Sequence, residues 1–298
     1  MPLKGLYTAL ITPFDEQGQL DEKCLRSLLR YQMKHQVNGV VLLGTTGEAP
    51  TLTLSEKERI VQIGVEEVKG KGTLIIGTGS YSTQQTIENT VWAKNMGADV
   101  ALVITPYYNK PTQEGLYQHF KALCDAVEIP ICIYTHQGRT GQNLLPETLK
   151  RIAAFPNVIA IKEASGNLAQ IDDVIQSLND RPFSILSGED SLTLPIMALG
   201  GHGIISVVSN LIPLPIKQLV KACQKGDLQT ARQLHVQLTP FFKAAFLETN
   251  PTPIKAAMQL CGMTTSTCRL PLCHLLPENL TKLQAAVKQL PKEWLHHG

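Results

Sequence analysis

Eight short apolar runs rich in β-branched residues mark the first two thirds of the chain, at 6–11, 40–43, 74–76, 100–104, 129–134, 158–161, 183–186 and 204–208. Hydrophobicity that is continuous, not alternating, marks strands covered on both faces. Between successive runs lie stretches with helical period. Leu25, Leu28, Leu29 and Met33 share one face of a helix beginning near Asp21. Ser55-Glu56-Lys57-Glu58 reads as a capping box with Ser55 at the cap. Further helices are predicted over 83–96, 112–126, 146–154, 168–178 and 192–199. Strands alternating with helices imply a parallel sheet. Eight such units suit a closed (β/α)8 TIM barrel of about 250 residues; an open doubly wound sheet is the alternative. From Pro213 onward the strand signal stops, and 216–225, 228–246, 254–261 and 278–290 read as helices. The predicted division is a barrel over 1–223 and a C-terminal helical extension over 224–298.

A barrel of this kind carries its chemistry at the C-terminal ends of its strands. The residues just past each apolar run are therefore the candidates. After the second run comes Gly44-Thr45-Thr46-Gly47-Glu48, after the third Gly77-Thr78-Gly79-Ser80, and after the fourth Thr105-Pro106-Tyr107-Tyr108-Asn109. The fifth ends on Tyr134 and leads into Thr135-His136-Gln137-Gly138-Arg139-Thr140-Gly141. The sixth runs straight into Lys162, the seventh into Ser187-Gly188-Glu189-Asp190, and the eighth carries Ser206 and Ser209 nearby. A lysine at the end of a buried strand is held near low-dielectric surroundings, which disfavour the ammonium and free the amine as a nucleophile. The plain alternative is a lysine that snorkels to water. An amine, a tyrosine hydroxyl and a Gly-Thr-Thr-Gly turn offering N–H groups and hydroxyls to a carboxylate are the parts of Schiff-base chemistry on a keto acid. Arg139 can grip a second carboxylate with a two-pronged hydrogen bond. Taken singly, a tight turn, a core tyrosine and a surface arginine explain each of these; their succession along the strand ends favours a site.

Other classes are disfavoured. The formal net charge of +2 and 5 % aromatic content argue against nucleic acid or a membrane surface as partner. With 43 % hydrophobic and 17 % charged residues the chain can bury a large core. Gly77-x-Gly79 lacks the third glycine and the lysine of a nucleotide loop. Cys261, Cys268, Cys273 and His274 fit no zinc spacing. Seven scattered cysteines without a C-x-x-C, and an N-terminus without signal-peptide character, predict buried thiols and a cytoplasmic address. His136 is expected to face solvent, and His202 to serve a helix-to-strand turn.

Several motifs carry a resemblance. Gly44-Thr45-Thr46-Gly47-Glu48, Thr105-Pro106-Tyr107-Tyr108-Asn109-Lys110-Pro111, Arg139-Thr140-Gly141, Ile161-Lys162-Glu163-Ala164 and Gly200-Gly201-His202-Gly203 resemble the dihydrodipicolinate synthase family. So do Asn250-Pro251-Thr252-Pro253-Ile254-Lys255 and Arg269-Leu270-Pro271. The likeness covers nearly the whole chain, in order, and places it among the pyruvate-dependent class I lyases and aldolases. It implies a Lys162 imine with pyruvate, whose carboxylate Thr45 and Thr46 bind. It implies Tyr134 as proton donor and acceptor, in a relay with Thr45 and with Tyr108 of a neighbouring subunit. Arg139 would receive the carboxylate of L-aspartate 4-semialdehyde, and Gly188 and Ile205 would line the pocket. The product would be 4-hydroxy-tetrahydrodipicolinate, at the committed step toward diaminopimelate and lysine. The resemblance further implies a homotetramer built from two tight dimers and no metal or organic cofactor. Related readings are a sugar-acid lyase of the N-acetylneuraminate lyase kind, with the same Lys162 chemistry, and a non-catalytic barrel that senses a keto acid.

Two departures from the family pattern stand out. Thr135-His136-Gln137-Gly138 replaces the usual Asn, aliphatic residue and Pro before the arginine loop, which bears on second-substrate specificity. Arg139-Thr140-Gly141 keeps its distance from Tyr134, so Arg139 is expected to keep its role. Positions matching the lysine-feedback pocket of relatives are Ala49, Leu54, Lys57, Tyr81 and Gln85. They lack an acidic partner for the effector's ammonium and add a like charge, so feedback by lysine is expected to be weak or absent.

Overall fold

A computed structural model describes residues 2–295. Eight parallel strands, β1 to β8, close into a barrel in sequence order. The (β/α)8 class expected from the apolar runs is therefore the fold found. By contact the chain forms two compact units. One combines Met1–Gly5 with Ile75–Ile205, the other Leu6–Leu74 with Ser206–Gly298.

The first unit takes in part of β3 (Thr73–Gly77), then α3 (Thr83–Met96), β4 (Val100–Ile104), α4 (Gln113–Ala126) and β5 (Ile131–Thr135). It continues through α5 (Gln137–Thr140), α6 (Pro146–Ile152), β6 (Val158–Glu163), α7 (Leu168–Leu178), β7 (Ser184–Ser187) and α8 (Thr193–Ala198), and into β8 (Gly203–Ser206). Side-chain oxygens start the helices. Ser82, Thr112 and Asn167 each accept from a backbone N–H of the first turn of α3, α4 and α7. Gly97 ends α3 in the left-handed region at φ 104°. Between sheet and helices lies one apolar layer in which Ala101, Val103, Ile131, Ile133, Ile161 and Ile185 meet Leu116, Phe120, Ile152 and Ile171. Burying each large side chain contributes about 1.5–3 kcal/mol.

The second unit holds β1 (Gly5–Ala9), α1 (Glu22–Lys34), β2 (Gly39–Leu42), α2 (Leu54–Val68), α9 (Pro213–Gln224), α10 (Leu228–Ala244), α11 (Thr252–Leu260) and α12 (Pro277–Lys288). β1 runs parallel to β2 with Thr8 opposite Val40. A buried polar knot ties β1 to α1 and to the stretch before α9. Thr8 Oγ1 donates to Gln32 Oε1 at 2.8 Å, Gln32 Nε2 donates to Ser209 O at 2.9 Å, and Asn210 Nδ2 donates to Ala9 O at 2.7 Å. The predicted cap of α2 is corrected. Thr53, not Ser55, is the N-cap and forms the box with Glu56. Both residues head a Ser/Thr-x-x-Glu pattern, and the chain is still extended at Thr53 (ψ 163°) and already helical from Leu54. The thiols are free, but only Cys132 is buried outright and Cys273 is exposed, so the expectation of buried cysteines holds for one position. Among the described residues no helix is long and apolar enough to cross a membrane.

Candidate active site

Strand alternation decides which side chains of the first unit can do chemistry. Ala101, Val103, Ile131, Ile133, Ile161 and Ile185 are committed to the helix layer. Their neighbours Leu102, Cys132, Tyr134, Ala160, Lys162 and Leu186 therefore project from the other face of the sheet. The register places Tyr134 beside Lys162 and Lys162 beside Leu186, with Cys132 beside Ala160. The sixth apolar run ends at Ile161; the ladder instead continues through Lys162 and Glu163, and Glu163 pairs with Thr135 and Ser187 on either side. Lys162 is thus fixed within a central strand, not at a loose end.

Its side chain is 6 % exposed, and Nζ lies 4.2 Å from the centroid of the Tyr134 ring. Burial pushes the ammonium down to about 8 from its ordinary 10.5; the nearby Arg139 guanidinium works in the same direction, while the Cys132 thiol and Asp190 carboxyl oppose it. At pH 7.5 roughly a quarter of the amine is then unprotonated, against about one part in a thousand for an exposed lysine. Lys162 makes no ion pair among the described residues. Gly188 lies against its stem, where an added Cβ would sit 3.2 Å from Lys162 Cγ and 2.6 Å from Ala164 Cβ, so only glycine fits. Gly188 N donates to Glu163 O at 2.7 Å. Ile205 follows two residues after Gly203, which pairs with Leu186, and is buried on that same face.

The stretch after Tyr134 is ordered without the family's proline. His136 O accepts from the N–H groups of Arg139 at 2.9 Å and Thr140 at 3.0 Å, making the single turn α5, which Gly141 ends at φ 76°. Arg139 stands exposed on that turn, its charge felt at both Lys162 and His136. His136 does not face solvent as expected. It is half-buried, with its ring edge-on to Tyr134 at 6.2 Å and Nδ1 buried without a partner among the described residues. Gly138 leaves room for it, since a Cβ there would stand 3.1 Å from His136 Cε1. Burial, with Arg139 and Lys162 adding like charge, lowers the imidazole to about 4, so it is neutral at physiological pH. Packing against the Tyr134 ring buries a side chain that the sequence alone leaves in a loop. His202 behaves as expected: its N donates to Ile185 O at 2.8 Å and its Nδ1 accepts from Ile185 N at 3.2 Å, shaping the turn into β8. Tyr108 is 89 % exposed and holds a left-handed φ of 71°, a strain of about 1–3 kcal/mol for a tyrosine.

In the second unit the Gly44–Glu48 turn leaves backbone donors unspent. The N–H groups of Thr45 and Thr46 have no acceptor among the described residues. Leu43 and Glu48, at the two ends of the turn, both take positive φ, 55° and 52°. The restraints come from both ends of the chain. Asn250 Nδ2 donates to Thr46 Oγ1 at 2.8 Å, and Thr12 Oγ1 donates to Gly47 O at 2.6 Å. Glu48 is buried and ion-paired with Lys255, whose Nζ also donates to Thr267 O at 2.8 Å. Arg269 N donates to the second Glu48 oxygen at 3.0 Å, and its guanidinium bonds Glu56 and Thr51 O. The Phe14 ring lies 4.3 Å from both Lys255 Nζ and the Arg269 guanidinium carbon. In the sequence Asn250, Lys255 and Arg269 are only marks of resemblance. In the fold they are the turn's supports. Among the described residues no group of three or more His, Cys, Asp or Glu side chains could hold a metal.

Comparison with known proteins identifies the family. The dihydrodipicolinate synthetase family matches residues 2–290. A 4-hydroxy-tetrahydrodipicolinate synthase of Protochlamydia amoebophila is 58 % identical over 300 residues, covering 100 % of both chains. One from a Geobacter species is 47 % identical over 286 residues, covering 96 % of this chain and 98 % of the relative. The crystal structure of dihydrodipicolinate synthase from Aquifex aeolicus superposes with a TM-score of 0.93 at 42 % identity, covering 96 % of this chain and 98 % of that one. The Acinetobacter baumannii dihydrodipicolinate synthase complexed with pyruvate does so with a TM-score of 0.94 at 37 % identity, over the same shares of 96 % and 98 %.

Proposed function

The chain belongs to the dihydrodipicolinate synthetase family, and from that premise we propose how its residues divide the work. It is a lyase of the diaminopimelate and lysine pathway that condenses pyruvate with L-aspartate 4-semialdehyde to 4-hydroxy-tetrahydrodipicolinate. The observation that carries the mechanism is Lys162, a buried and unpaired amine with its pKa brought down to about 8 by burial, held beside Tyr134.

The unprotonated Nζ of Lys162 adds to the keto carbon of pyruvate. Tyr134 protonates the resulting oxygen, water leaves, and an iminium remains. Loss of a methyl proton gives the enamine, whose carbon attacks the aldehyde of the second substrate. The amino group of that substrate then attacks the imine carbon, displaces Lys162 and closes the ring. In this scheme Thr45 and Thr46 bind the pyruvate carboxylate, Gly188 and Ile205 line the pocket through their backbone groups, and Arg139 receives the semialdehyde carboxylate. Thr45 and Tyr108 relay protons to and from Tyr134, with Tyr108 supplied by a neighbouring protomer of a homotetramer. The exposure and held strain of Tyr108 support a role outside its own chain. The barrel over 1–223 carries the site and 224–298 extends it, in an enzyme of the cytoplasm; seven free thiols support that address. The reaction draws on side-chain chemistry alone, and the family likeness implies no metal or organic cofactor.

A coupled assay with pyruvate, L-aspartate 4-semialdehyde and the downstream reductase tests the reading. Turnover is expected, and cleavage of N-acetylneuraminate without it would replace this function with that of a sugar-acid lyase. Arg139→Ala is expected to weaken semialdehyde affinity by about ten- to a hundredfold; unchanged affinity would remove Arg139 from the site.

A further inference from the structure

We propose that Asn250 is a positioning residue that aims the Thr46 hydroxyl proton at the substrate carboxylate. The proposal rests on Thr46 being a carboxylate ligand and deepens that reading. An amide NH2 can only donate. At 2.8 Å from Asn250 Nδ2, Thr46 Oγ1 is therefore the acceptor of that bond. Its single proton must point elsewhere, and it finds no acceptor among the described residues. Thr46 is 3 % exposed and Asn250 5 %, so water does not set these directions.

The amide orientation has its own physical reason. Asn250 Oδ1 is buried and unpartnered. Turning the amide over would spend the Thr46 proton on Oδ1 and bury an NH2 group with neither N–H satisfied. Among the described residues the observed amide leaves Oδ1 and one N–H unpartnered, against two N–H groups in the turned one, and under-satisfied acceptors are tolerated more readily than orphaned donors. The observed arrangement leaves three donors unspent at the turn, namely the Thr45 and Thr46 N–H groups and the Thr46 O–H. Donors of fixed direction make strong hydrogen bonds to a carboxylate, which can only accept. Asn250 thus contributes without touching the substrate, by denying Thr46 its alternative partner.

The test is a double-mutant cycle. N250D keeps the shape and reverses the bond, since a buried carboxyl accepts the Thr46 proton. T46V removes the proton altogether. Both are expected to raise the KM for pyruvate about ten- to a hundredfold. The KM for the semialdehyde and kcat at saturating pyruvate should change less than about threefold. The double variant should be no worse than T46V alone, because both changes remove the same donor. Asn250→Ala only releases the hydroxyl and should raise the KM by a few fold; it serves the same cycle if N250D does not fold. A wild-type KM in both Asn250 variants overturns the proposal, as does an effect that multiplies with that of T46V. An equal loss in affinity for both substrates, reporting general damage, also overturns it. A wild-type KM in T46V instead overturns the carboxylate-ligand reading beneath it.

Discussion

Two lysines are buried among the described residues, and their surroundings differ chiefly in one respect. Lys162 is 6 % exposed with Nζ 4.2 Å from the Tyr134 ring; Lys255 is 0 % exposed with Nζ 4.3 Å from the Phe14 ring. Depth and an aromatic neighbour are thus common to both, and burial lowers both pKa values. The difference is a carboxylate. Lys255 is ion-paired with Glu48, which holds its charge in place; Lys162 has no such partner. Desolvation without compensation makes an amine reactive, and desolvation with a paired carboxylate makes it structural.

Exchanging each lysine for methionine should pull the two roles apart. Lys162→Met is expected to cut turnover by about a thousandfold or more while leaving the fold intact, measured by the coupled assay and thermal unfolding. Lys255→Met leaves Glu48 buried and unpaired, and should cost about 3–5 kcal/mol in denaturant unfolding. Its surviving folded fraction should still form the pyruvate imine. Loss of imine at full stability would place Lys255 in the chemistry and break the comparison.

A pH series sharpens it. Below about pH 8 the initial rate of imine formation should rise about tenfold per pH unit, then level off as Lys162 loses its proton. The same shift sets the sign of the stability effect. The Lys162 pKa is about 8 in the folded chain against an ordinary 10.5, so between these values the unfolded chain binds more protons and stability rises with pH. The rise is about 3 kcal/mol across that window, and Lys162→Met should remove it. His136, already neutral, should add no inflection between about pH 5.5 and 7.5, and His136→Leu should leave that limb unchanged. The smallest effect expected is feedback. Millimolar lysine should inhibit weakly or not at all, and strong inhibition at sub-millimolar lysine would contradict the charge reading of Lys57.

The asymmetry between the two lysines also explains what the sequence could reveal. All eight strands and most helices are visible as local patterns, and α3 and α7 begin and end where period and caps place them. Lys162 is legible because its burial comes from the run just before it. Its strand nonetheless extends past the apolar signal, since pairing with β5 and β7 carries two polar residues into the ladder. The turn α5 is hidden because Gln137-Gly138-Arg139-Thr140 is too short and glycine-weakened to show a period. Lys255 is hidden for a different reason: Glu48 lies 207 positions away, and no local pattern announces a partner at that distance. The same holds for Asn250 and Thr46, 204 positions apart.

The central claim is that the unpaired buried lysine, and not the paired one, carries the substrate. Borohydride reduction in the presence of pyruvate, followed by peptide mass spectrometry, reads this directly. A single reduced pyruvate adduct on Lys162, with Lys255 unmodified, is the result predicted. An adduct on Lys255, or none on Lys162 under turnover conditions, would contradict it.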